Sequence, residues 1–205
     1  MRASLVTILV LVFLFAVIVL IAWRRRHPRP FPASMAALLH SPLRRLTLDA
    51  DAVAKQLELA PGMWVLEIGP GSGYVTRRVA SRMGANGLLV GLDIQLDMLR
   101  ELRARIGSAS PALVCASGSA LPFRNGKFDR VFLVSVLGEI PDKESALGEY
   151  ARVLGSRGLL AVTESIYDPD YVRLATLKAI AERAGFAPGN RGGTWAQYTQ
   201  CFVRR

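Results

Sequence analysis

Nine consecutive residues, Val65-Leu66-Glu67-Ile68-Gly69-Pro70-Gly71-Ser72-Gly73, narrow the architecture more than any other part of the chain. A short apolar run ends in glycines at alternate positions, and from Ser72 to Gly84 the apolar Val75, Val79 and Met83 recur at helical spacing before a glycine stop. This is a strand, a tight loop and a helix. The alternation then repeats. Leu88–Asp93 reads as a strand before a helix carrying Leu99, Leu102 and Ile106 and stopped by Gly107. Ala112–Ala116 is a weaker strand, Phe128–Leu137 a strong one, Pro141–Leu154 a helix, Leu159–Glu164 a strand, and Asp170–Ala184 a helix ended by Gly185. Strands apolar on both faces and separated by helices predict a parallel sheet covered on each side. The tail departs from this, because Phe186 and Tyr198–Val203 are joined by Pro188-Gly189-Asn190-Arg191-Gly192-Gly193 with no helix between. The expected fold is α/β: a seven-stranded, mostly parallel sheet with helices on both faces and a final antiparallel hairpin.

Ahead of that pattern, the nineteen residues Leu5–Trp23 carry no charge, and fifteen of them are Leu, Val, Ile or Phe. At about 1.5 Å per residue such a helix just spans a hydrocarbon core of about 30 Å, so a transmembrane helix is expected over 1–23. A cleaved signal peptide fits less well, since the apolar run is long, its basic flank follows it and no A-x-A site is present. His27-Pro28-Arg29-Pro30-Phe31-Pro32 cannot be helical through its prolines. It opens a basic juxtamembrane linker over 24–45 that leads into a lid over 31–57, and the domain proper occupies 46–205.

The formal charge of +10 suggests nucleic acid until it is divided along the chain. All sixteen acids follow residue 46, whereas seven of the 26 bases precede it, leaving nineteen bases against sixteen acids for the domain. The excess is Arg24, Arg25, Arg26, Arg29, Arg44 and Arg45, with Arg2 at the start. Arginines just after the apolar run predict a cytoplasmic domain and an outside N-terminus. Cys115 and Cys201 show no metal or redox spacing and are expected as buried free thiols, and no metal site is expected.

The glycine loop lets backbone N–H groups approach a ligand closely, because glycine has no Cβ and adopts positive φ readily. Twenty residues past Gly73, Asp93 ends the second strand, where a carboxylate can accept both hydroxyls of a ribose. Together these point to an adenosine-containing ligand at the carboxyl edge of the sheet. The spacing is G-x-G-x-G, and the register of a dinucleotide loop would put Tyr74 where a small residue is needed. Glu67 would repel a pyrophosphate and attract an amino group and a sulfonium.

This segment resembles motif I of class I S-adenosylmethionine-dependent methyltransferases, a Rossmann-like family, and the resemblance extends over about residues 46–205. Leu121-Pro122-Phe123, Phe128-Asp129-Arg130-Val131 and Ala151-Arg152-Val153-Leu154 look like further signatures of the ubiquinone/menaquinone biosynthesis type, which acts on small molecules. The resemblance implies S-adenosyl-L-methionine as cofactor. It implies that Glu67, Gly69, Gly71 and Gly73 line its methionine part, that Asp93 holds the ribose, that Ile94 packs on adenine, and that Ser135 lies near the methyl group; Pro70 is a further cofactor-binding candidate, and Tyr74 either touches the amino-acid part or merely starts the helix. Where the family has Gly-Asp-Ala, this chain has Ala116-Ser117-Gly118, so Ser117 would meet the adenine amino group beside Gly118 with a weaker hydroxyl acceptor.

Methyl transfer from a sulfonium is an in-line displacement in which alignment supplies most of the acceleration. A base is needed only if the acceptor arrives protonated. Glu139, following the fourth strand, is the leading catalytic candidate as base or orienter; its other reading is a loop carboxylate at a helix start. His40, in the lid, titrates near neutrality and either serves chemistry or packs the lid. Tyr167 and Tyr171 read as core or rim. The fourth strand has no Asn-Pro-Pro-aromatic and no Pro-Cys segment, which argues against methylation of nucleic-acid bases. The expected activity is methyl transfer to a small, lipophilic or membrane-associated acceptor such as a quinone, phenol or lipid. The alternatives are a soluble metabolite, RNA or protein as acceptor, or a non-catalytic cofactor-binding membrane subunit.

Overall fold

A computed structural model describes residues 4–26, 29–40, 47–84, 86–107 and 111–205. Its central sheet has seven strands in the order β3-β2-β1-β4-β5-β7-β6. These are β1 (Trp64–Ile68), β2 (Leu88–Asp93), β3 (Ala112–Cys115), β4 (Phe128–Val134), β5 (Leu154–Ser165), β6 (Phe186–Gly193) and β7 (Gln197–Arg204). The first five pair in parallel, while β7 is antiparallel to both β5 and β6, as the sequence predicts.

Alternate residues of the central strands enter two separate cores. Val65, Leu89, Phe132 and Ala161 face α2 (Ala50–Gln56) and α3 (Thr76–Arg82), meeting Val53, Ala54, Val75 and Val79. Leu66, Val90, Val131 and Leu160 face α5 (Lys143–Val153) and α6 (Leu174–Arg183), meeting Leu147, Tyr150, Leu177 and Ile180. The helix after β2, α4 (Leu96–Ile106), buries Met98, Leu99 and Leu102. Short polar side chains set two of the starts: Asp49 caps α2 through the N–H groups of Asp51 and Ala52, and Asp142 caps α5 through Ser145.

Several boundaries differ from the expectation. Helix α2 is packed into the core, so the lid is confined to the segment before it. Helix α3 starts at Thr76 rather than Ser72, because Gly71 to Val75 is taken up by turns. Strand β5 begins at Leu154, and a register shift between Phe128 and Arg130 absorbs the Gly155–Gly158 stretch expected as a loop. The glycine-rich segment expected as the hairpin loop is the exposed edge strand β6, with its own register shift between Pro188 and Arg191. Cys201 is buried, but Cys115 is exposed because β3 is an edge strand with outward ends.

The N-terminal apolar run forms α1 (Leu5–Arg26, 22 residues), continuing past Trp23 because arginine is a good helix former and Pro28 is the first breaker. Its side chains lie open, Phe13 at 67% and Phe15 at 68% exposure. Among the described residues no helix is long and apolar enough to cross a membrane. In place of the transmembrane helix expected over 1–23, the fold shows an exposed apolar helix. Residues 1–3, His27, Pro28 and 41–46, with Arg44 and Arg45, lie outside the described residues.

Candidate active site

At the carboxyl edge of the sheet, the loops after β1, β2, β4 and β5 enclose a cavity of about 460 Å³. The topological switch point, where the chain runs from β1 outward through β2 and β3 and then crosses back to β4 on the other side of β1, lies here, between β1 and β4. Of the residues picked out by sequence, Glu67, Gly69, Pro70, Gly71, Tyr74, Asp93, Ile94, Ser117, Gly118, Ser135 and Glu139 line the cavity. Gly73 does not. A Cβ there would come within 2.8 Å of Ile106 Cδ1, so its role is close packing of the loop on α4. The side chain of His40 lies outside the described residues.

Gly69 has φ +65° and Gly71 φ +53°, left-handed backbone that favours glycine. A Cβ on Gly69 would also stand 2.5 Å from Val136 Cγ2. Below this loop Glu67 is 3% exposed and its Oε2 has no hydrogen-bond partner. Burial pushes its carboxyl up to about 8, opposed by the Thr76 hydroxyl and reinforced by the charge of Asp93. Asp93, 8% exposed, is also raised by burial, while the backbone N–H groups of Gln95, Gly71 and Ile94 hold it down. Its Oδ1 accepts from Gln95 N at 2.9 Å. Ser117 is engaged with Ser119, Oγ to Oγ at 3.0 Å, and also accepts from Ser119 N. Ser135 directly follows β4 at φ +57°, held by its N–H donating to Thr163 O at 2.8 Å.

A strap of chain roofs the cavity. Phe31 N donates to Glu139 Oε2 at 3.1 Å and Phe31 O accepts from Gln95 Nε2 at 2.8 Å. Ser72 Oγ donates to Ala36 O at 3.3 Å, in the 3-10 segment Ala33–His40, and Tyr74 Oη donates to Leu48 O at 3.1 Å. Glu139 thus sits at the cavity wall, on the 3-10 turn Leu137–Glu139, and is tied to the strap. Sequence reasoning missed Gln95, Glu164, Asp168 and Asp170, which also line the cavity. Only Glu164 left a signal, as an acid closing an otherwise apolar strand. Gly138 was missed too: a Cβ there would collide with the Asp170 carbonyl.

A family model described as a methyltransferase domain matches residues 66–162, which span β1 to the middle of β5. The middle of the chain is thus similar to a methyltransferase domain. A ubiquinone/menaquinone biosynthesis C-methyltransferase, UbiE, of Bordetella parapertussis is 38% identical over 133 residues, covering 63% of this chain and 49% of that protein. The chain therefore spans about half the length of the curated relatives it matches. Among solved structures, a SAM-dependent methyltransferase from Aquifex aeolicus superposes with TM-score 0.76 at 19% identity, covering 84% of this chain and 98% of that one. The [4+2]-cyclase SpnF superposes with TM-score 0.62 at 25% identity, over 72% and 59% of the two chains.

The methyltransferase domain's cofactor is S-adenosyl-L-methionine, and the residues present fit it. An orphaned, fully buried carboxylate oxygen on Glu67 suits an ammonium group. The left-handed glycines permit close backbone approach, and Asp93 presents a carboxylate to vicinal hydroxyls. When bound, the cofactor supplies a methyl group activated by a positive sulfur.

Proposed function

We propose that this chain transfers methyl groups from S-adenosylmethionine to a small lipophilic acceptor of the quinone, phenol or lipid class, at a membrane surface. In this reading Glu67, Gly69, Pro70, Gly71 and Tyr74 hold the methionine part, Asp93 the ribose, and Ile94, Ser117 and Gly118 the adenine. Ser135 and Glu139 border the reacting end, and the strap through Phe31 excludes water from it.

The observation that carries the acceptor class is the apolar rim of the cavity. Ile94 and Tyr167 line the cavity while remaining 56% and 58% exposed. Leu96, at the start of α4, and Trp195, next to Ala196 whose carbonyl accepts from Ile166 N at 2.9 Å, are exposed as well, at 49% and 84%. Exposed apolar residues gathered at a cavity mouth mark a surface that meets apolar material. The exposed helix α1 would seat in the same membrane, with the domain on the cytoplasmic side, and a tether beside the mouth raises the effective concentration of membrane-dissolved acceptor. The names of the UbiE relatives, which concern quinone biosynthesis, support the same class.

The test is to reconstitute the full chain with lipid vesicles, add cofactor labelled on its methyl group, and separate lipid extract from aqueous phase. Label in the lipid extract, with the protein floating with the vesicles, is the expected result. Label confined to a soluble metabolite, to RNA or to protein rejects the acceptor class; no transfer to any of them, despite cofactor binding, returns the chain to a cofactor-binding subunit.

A further inference from the structure

The cavity has a second acidic end, separate from the Glu67 and Asp93 side. Glu164 stands at the carboxyl end of β5, opposite Tyr198 of β7, and is 1% exposed. Its Oε2 accepts from Val172 N at 3.1 Å, whereas its Oε1 has no hydrogen-bond partner, and the residue lines the cavity. The groups facing it come from every neighbouring element. Asp168 and Asp170 lie on the following loop and Glu139 on the turn after β4. Lys143 of α5 donates to the carbonyls of Gly138 at 3.3 Å and Ile140 at 2.8 Å. Tyr198 donates to Val172 O at 2.6 Å, and Tyr171 packs edge-on against the Tyr198 ring.

The carboxyl groups gathered at this end disfavour an anionic acceptor. Burial pushes the Glu164 carboxyl up to about 8, assisted by Asp168 and Glu139 and opposed by the Val172 N–H and Lys143. The Lys143 ammonium already stands against this end, so a second ammonium there meets like charge and a cationic acceptor gains little. A carboxyl poised near 8 is matched to a phenol, whose hydroxyl ionises near 10.

We propose that this end of the cavity is the acceptor subsite, that it takes an uncharged acceptor with a phenol-type hydroxyl, and that Glu164 Oε1 accepts the hydroxyl proton. The acceptor's O–H bond breaks, its electron pair stays on oxygen, and the proton joins Glu164, leaving a phenolate as the methyl acceptor. The choice of a phenol rests on the lipophilic-acceptor reading above; the placement of the subsite rests on the geometry alone.

The experiment uses the full chain and three water-soluble probes, 4-propylphenol, propylamine and 4-propylbenzoate, with binding followed by calorimetry and methyl transfer followed between pH 6 and 9. The wild type should bind the phenol in preference to both charged probes, with a rate that rises to a plateau above about pH 8. Glu164→Gln should keep cofactor affinity, lower the rate at pH 8 about a hundredfold and flatten the profile, with Glu164→Asp restoring part of the rise. An unchanged profile in Glu164→Gln, or a wild type that prefers propylamine or 4-propylbenzoate or binds no phenol, overturns the proposal. If Glu164→Gln loses cofactor affinity, the probe series on the wild type still decides. Turnover of 4-propylphenol with no gain for a long-chain phenol in vesicles would keep the subsite while rejecting the membrane-acceptor reading.

Discussion

Replacing Glu67 by glutamine tests whether a buried carboxyl has been set aside for a ligand's positive charge. The wild-type carboxyl rises from 4.5 when unfolded to about 8 when folded. A folded-state value above the unfolded one means that the native protein binds more protons across that window. Stability is then full below about pH 4.5, falls as pH rises towards 8, and levels off above it. One pH unit corresponds to about 1.4 kcal/mol, so between pH 4.5 and 7 this one group removes about 3 kcal/mol, or about 6–12 °C in Tm for a domain of this size. Glutamine keeps the shape and does not titrate. Its extra N–H donor carries a fixed cost, so the quantity to compare is the slope rather than the absolute Tm. Thermal melts of the cofactor-free protein between pH 5 and 8 should show a flatter decline for Glu67→Gln than for the wild type. Calorimetry should show cofactor affinity about 10- to 150-fold weaker, from the loss of a charge-assisted bond of about 1.5–3 kcal/mol. Parallel Tm curves for the two proteins, or unchanged cofactor affinity, would refute the assignment.

Asp93→Ala should weaken cofactor binding at least tenfold in calorimetry while leaving Tm within a few degrees, because Asp93 is held by backbone N–H groups at the rim of the site. Gly138→Ala should lower stability by about 1–3 kcal/mol in chemical denaturation, since its Cβ would meet the Asp170 carbonyl and force that loop outward. Trp195→Glu should leave cofactor affinity unchanged and reduce vesicle association in flotation, if the apolar rim meets lipid.

The parallel part of the sheet was legible because its strands are apolar on both faces and each is followed by a helix, and the order of elements held throughout. The cofactor side was legible because glycines and a strand-end aspartate have few other uses at that spacing. Gly73 misled, because a glycine's sequence position does not say whether its missing Cβ admits a ligand or a neighbouring helix; here it admits Ile106. The acceptor side was largely hidden. Gln95, Asp168 and Asp170 gain their meaning only from loops that converge at one edge, and the strap through Phe31 is held mainly by backbone groups, which carry no residue signature. The edge strand β6 was hidden by its glycines, which read as a loop until a partner strand supplies the hydrogen bonds.

Strand β7 lies between β5 and β6 in space yet follows both in sequence. During synthesis, β5 can pair with β4 on one side as soon as it emerges, but its other edge finds no partner until Gln197, 32 residues after Ser165. At about 5–20 residues per second this leaves a long apolar edge open for roughly 2–6 s. That interval is when a nascent chain is most exposed to pairing with a neighbour, and α6, made within it, is the element positioned to cover the face of β5 before its edge is closed.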